Sequence, residues 1–183
     1  IFEGSEKNRD LYQRGLLDLE QWRKISSAVA GHSKLLKAED RTKLLDILQD
    51  ADRLDAFGFN GMFRNISEDK KFNLPVYKEG EPLDYPEGYM MKPKEIVSAY
   101  SHLFFVISFK DILSNETAKE MAEPGVMIVK DFINLIRNRI QKNEIEGYDF
   151  WLDFIDYAKK QRLERATEED VKYFIEEREK RQV

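Results

Sequence analysis

Asp50, Asp52 and Asp55 place three carboxylates within six residues, with Arg53 between them and Arg64 shortly after. The run from Gln49 reads as a helix. Asp52 follows Leu48 by four positions, so helical spacing carries it onto the edge of the face that Leu48 buries. A carboxylate turned inward alone is costly, and folded proteins match it with a cation, a metal ion or the free amides of a helix end. For Asp52 this leaves two readings: a metal ligand, or an ion pair with Arg53 or Arg64. Asp50 and Asp55 read as capping or supporting acids. Arg64 reads as the partner of Asp55 or as a phosphate contact.

The histidines are His32 and His102. Leu19, Trp22, Ile25, Val29 and His32 recur three or four apart, so a helix beginning near Asp18 carries His32 on its apolar stripe. An imidazole there is either a hydrogen-bonded core residue or a ligand. A second helix is expected from about Asp40, as N-cap, through Leu44, Leu45, Ile47, Leu48 and Leu54 to Phe57. A short connection joins the two helices, so an antiparallel hairpin would bring His32 and Asp52 toward one pocket. His102, among Tyr100, Leu103 and Phe104, reads as structural.

The remaining elements must frame these residues. Residues 67–93 hold four of the five prolines and break the helical pattern. So long an irregular connection is either a functional lid or a mobile surface loop. Tyr77, Tyr85 and Tyr89, with Lys70, Lys71 and Lys78, would supply stacking faces and positive charge to a lid over a phosphorylated substrate. Residues 94–113 are apolar at helical spacing and read as the central core helix. A further helix is expected from Glu116, interrupted at Pro124-Gly125 and resumed over 126–140. Then come a turn at 143–147, a helix with Phe150, Trp151, Phe154, Ile155 and Ala158 inward, and a last helix opened by a capping box at Thr167-Glu168-Glu169-Asp170. No strand pattern appears beyond a short hairpin that residues 67–93 would allow, so the class is all-α, a helical bundle. At 183 residues the chain fits one domain, 1–183, with residues 141–183 as a C-terminal helical extension.

The chain is 42% hydrophobic and 36% charged with a mean hydropathy of -0.62, the balance of a folded, water-soluble helical protein. It has no run long enough to span a membrane. A net charge of -5 argues against a large nucleic-acid footprint, which needs a basic face. The absence of cysteine excludes disulfides, thiolate zinc sites and cysteine nucleophiles, and suits a reducing cytoplasm. The chain starts at Ile1 without Met or a signal peptide, which reads as the interior of a longer protein.

The pattern D-A-D-R-L-D-A-x-G-x-x-G-x-x-R, from Asp50 to Arg64, resembles the closing segment of the metal site in the HD-domain superfamily of phosphohydrolases. The likeness is nearest to the small bacterial HD hydrolases. Ala28-Val29-Ala30-Gly31-His32-Ser33 resembles their helix ending in A-I-x-x-H-S, and Ile47-Leu48-Gln49-Asp50-Ala51-Asp52 their I-L/V-Q-D-A-D. Ser101-His102-Leu103-Phe104 and the stretch from Leu113 to Lys119 are similar to a later D-H-F helix and its continuation.

The resemblance implies an HD-like helical bundle and hydrolysis of a small phosphorylated substrate, a nucleotide or another phosphate ester. It makes Asp52 a metal ligand and His32 a contributor to a second ion, with Arg64 toward the phosphate. The ion would be Mn, Mg, Fe, Ni or Zn, lowering the pKa of a bound water that attacks phosphorus. The chain departs from the family pattern in lacking the His-Asp doublet and the histidine before it, since neither His32 nor His102 precedes an Asp. A lysine common after the D-H-F segment is also missing. The alternative is therefore a catalytically inactive HD-like module that serves as a protein-interaction or regulatory scaffold.

Overall fold

The structure, a computed structural model, describes residues 13–16, 18–32, 42–86 and 88–180. Among these residues it is all-α, with no strand. The helices are α1 (Leu19–Gly31), α2 (Lys43–Leu54), α3 (Gly58–Lys71), α4 (Ala99–Ser108), α5 (Glu116–Gln141), α6 (Tyr148–Gln161) and α7 (Glu168–Lys180). Short 3-10 turns, Pro93–Glu95 and Phe109–Ile112, lie on either side of α4. No helix of the described residues is long and apolar enough to cross a membrane.

Side-chain caps set several of these starts. Asp18 accepts the Gln21 amide at 2.7 Å while the Gln21 side chain accepts the Asp18 amide, closing a capping box on α1. The expected Asp40 cap lies outside the described residues; the N-cap of α2 is Thr42, whose hydroxyl accepts the Leu45 amide. At α7 the Thr167 and Asp170 pair expected from the sequence forms in both directions.

The long helix α5 is the spine. Its buried residues Ala118, Ala122, Val126, Val129, Phe132, Ile133 and Ile136 recur three or four apart along one stripe. Helices α2, α3 and α4 all pack on it, α6 packs on α3, and α1 and α7 close the outside against α2 and α6. Trp151 and Phe154 of α6 meet Phe132 at ring distances of 5.1 and 6.0 Å, and Phe174 of α7 joins them, so the C-terminal helices share the main core.

Pro124 and Gly125 do not interrupt α5 as the sequence suggests; they lie inside it. An interior proline costs about 3 kcal/mol of helix stability. Burial of Ala122, Val126 and Val129 on both sides of it offsets that cost. Gly125 has its own role, since a Cβ there would stand 2.7 Å from the Cβ of Phe57. Glycine lets α5 press against the turn between α2 and α3.

Helix α2 ends at Leu54 rather than at Phe57, and α3 extends into the stretch that the prolines alone marked as irregular. Amides of Ala56 and Phe57 bond back to Arg53 and Leu54, and Gly58, at φ +70°, redirects the chain into α3. The helix expected over 94–113 is likewise shorter. Ser98 caps it, and the residues before Ser98 form the Pro93–Glu95 3-10 turn followed by an extended Ile96.

The connection that reads as either a lid or a mobile surface loop is a strap tied to the bundle by hydrogen bonds. Pro75 and Val76 carbonyls accept the Ala99 and Tyr100 amides at 2.9 Å, Tyr148 donates to Leu74, and Tyr100 donates to Leu83 at 2.7 Å. Buried Glu81 accepts the Ser98 hydroxyl at 2.6 and 2.8 Å and the Lys78 amide at 2.7 Å. Lys70 and Lys71 belong to α3 rather than to the strap.

Candidate functional site

The D-A-D segment occupies the second half of α2, where the helix meets α5. Its inward carboxylate is Asp50, not Asp52. Asp50 is buried, and its oxygens accept the backbone amides of Ser114 at 3.0 and 3.1 Å and of Asn115 at 2.9 Å. These amides stand at the mouth of α5, whose N-cap is Asn115, so the carboxylate meets backbone donors at the positive end of the helix dipole. Arg53, one turn on, donates to Asp50 at 3.3 Å and to the Ile112 carbonyl at 3.1 Å. Together they clamp the 112–115 turn onto α2.

Asp52 is exposed, which corrects the expectation that it sits at the buried edge. The physical reason is a shift of register. Leu45 and Gln49 are the deepest residues of the first two turns, whereas Leu48 is only half buried and Leu44 and Ile47 are exposed. The inward face is centred near Arg53 rather than Leu48: Gln49 lies four positions before Arg53 and Asp50 three, so both turn inward with it, whereas Asp52, its immediate neighbour, stands about 100° round the helix. Among the described residues the Asp52 side chain makes no hydrogen bond and no ion pair.

Arg64 pairs with the Asp55 carboxylate and donates to the Asp55 carbonyl at 3.1 Å, fastening α3 to the end of α2. Gly58 supplies the left-handed turn, and a Cβ on Gly61 would collide with the Ala56 carbonyl. His32, half buried at the C-terminal end of α1, donates Nδ1–H to the Val29 carbonyl at 2.6 Å, which leaves Nε2 as the acceptor nitrogen. No hydrogen bond or ion pair joins His32 to Asp52. Gln49 bonds the Gly31 carbonyl at 3.5 Å, so α2 reaches the end of α1 beside His32.

A second constellation escaped the sequence reading. Asp69 of α3 is buried, and its carboxylate oxygens accept Nδ1–H of His102 on α4 at 2.8 and 3.0 Å. The pair ties two helices together, in keeping with a structural His102. Burial, and after it the Asp69 charge, push the Tyr148 phenol well above its ordinary value. No spacing rule links positions 69 and 102, so only the packing of α3 on α4 reveals this pair.

Among the described residues, no three His, Asp or Glu side chains converge in a way that would hold a metal ion. The chain matches no protein-family model and no curated protein.

Proposed function

We propose that this domain serves HD-type hydrolysis of a small phosphorylated substrate and that Asp52 is the residue it offers to that chemistry. One observation supports the reading above others. Asp50, Arg53, Asp55, Gly58, Gly61 and Arg64 of the motif each have a part in the fold, whereas Asp52 has none among the described residues and faces solvent from a rigid helix. His32, with Nε2 left as acceptor, is the second residue proposed for the site. Arg64 is half exposed, so its guanidinium keeps a solvent-facing side toward a phosphate.

The metal ion that the resemblance implies does not fit the described donors. A catalytic ion is usually held by three protein ligands, and one exposed carboxylate with one imidazole falls short. These residues alone therefore do not build a hydrolytic centre. The second reading, an HD-like scaffold without catalysis, draws on the same shortage and on the exposure of Leu44 and Ile47 along α2.

A manganese titration of the 183-residue protein, with a phosphatase and nucleotide screen, tests the first reading. Weak manganese binding that Asp52→Ala abolishes, with at most trace turnover, is the expected outcome. Binding that survives Asp52→Ala unchanged would refute the role of Asp52, and absence of any binding favours the scaffold.

A further inference from the structure

We propose that the cavity between the strap and helices α4 and α5 is a binding site for a planar aromatic carboxylate. The cavity measures about 370 Å³, the size of a small-ligand pocket. None of its lining residues belongs to the D-A-D segment, so the proposal stands apart from the role given to Asp52.

Its aromatic wall is already assembled. Tyr85 and Tyr89 stack at 5.5 Å with an interplanar angle of 26°, and Tyr85 meets Phe104 at 4.8 Å. Burial is the main reason the Tyr85 phenol titrates above its ordinary value. The strap holds Tyr85 through Leu83, whose carbonyl accepts the Tyr100 hydroxyl at 2.7 Å, and through Asp84, which pairs with Arg137, while the Tyr89 hydroxyl donates to Glu95 at 3.1 Å. A ligand meets a wall that does not need ordering, which favours a flat ring.

The charges in the lining select the other end of the ligand. Lys110 is paired with Glu123, and Arg137 with Asp84. Lys130 is exposed and makes no ion pair among the described residues; its charge also helps to hold the Glu123 carboxyl below its ordinary value, but Lys110 is the main partner there, so Lys130 is the less committed cation and the one a ligand anion can recruit. Asp111 adds a carboxylate to the same lining. One available cation beside one acid suits a single negative charge and disfavours a phosphate dianion, which would compete with Glu123 and Asp84 for cations they already hold. A ring with one carboxylate meets both conditions.

The test is calorimetric titration of the 183-residue protein with 2-naphthoate, 2-naphthol and adenosine monophosphate. Naphthoate should bind about tenfold tighter than either naphthol or the nucleotide, and Lys130→Met should erase its advantage over naphthol. Tyr89→Ala, a change at an exposed ring, should weaken naphthoate and naphthol alike while the circular dichroism stays unchanged. Saturable binding that is absent, tighter for the nucleotide, or indifferent to Lys130→Met would overturn the proposal.

Discussion

Asp50 and Asn115 stand 65 positions apart, yet a carboxylate oxygen of Asp50 accepts the Asn115 amide at 2.9 Å at the mouth of α5. Asn115 in turn caps its own helix through the Thr117 amide. The start of the longest helix is thus held from two sides, once locally and once by α2. Part of a motif that suggests metal chemistry is an anchor for the spine of the bundle.

The close approach of α5 to the α2–α3 turn predicts intolerance at Gly125. Gly125→Ala would bring a methyl within 2.7 Å of the Phe57 Cβ and should destabilise the protein by about 1–3 kcal/mol. Urea unfolding measures this directly. A variant as stable as the parent would show that the helices separate freely at that crossing.

Glu81 pins the strap, so its loss should loosen residues 75–86 before the bundle. Glu81→Ala leaves the buried Ser98 hydroxyl without its carboxylate partner, a cost of about 1–3 kcal/mol. Amide hydrogen exchange should rise in the strap and not in α5. Exchange that rises equally throughout would contradict this order of opening.

Alkaline pH should unfold the protein early. Tyr148 and Tyr100 both titrate above the ordinary phenol value, in each case first because of burial. A raised folded-state pKa means that the neutral form is favoured in the folded protein. The stability it contributes is present below about pH 10, where the unfolded phenol titrates, and is lost as pH rises toward the folded-state value. Melting temperatures should therefore fall as pH rises above about 10, and less steeply in Tyr148→Phe. An identical slope in that variant would assign the alkaline loss to other groups.

What the sequence made legible was local. The Thr167 and Asp170 cap, the start of α1 at Asp18 and the core face of α6 depend on residues within a few positions of one another, and each formed as expected. The all-α class followed from the same periodicities. The misreadings share another cause. Leu44, Ile47 and Leu48 are as apolar as Leu45, so hydrophobicity along α2 could not say which stripe faces α5, and the error carried Asp52 inward in place of Asp50. Pro124 signalled a break because its cost is local while the burial that offsets it comes from other helices. The strap was ambiguous for a similar reason. Its anchors, Glu81 to Ser98 and Arg137 to Asp84, join residues that only the fold brings together.

The division of labour between the two acids of D-A-D is the central claim, and parallel urea unfolding of Asp50→Ala and Asp52→Ala tests it most directly. Asp50→Ala strips two amides and Arg53 of their buried acceptor and should cost about 2–4 kcal/mol. Asp52→Ala removes an exposed carboxylate with no partner among the described residues and should stay within about 0.5 kcal/mol of the parent. Equal losses from the two substitutions, or a larger loss at Asp52, would contradict the account.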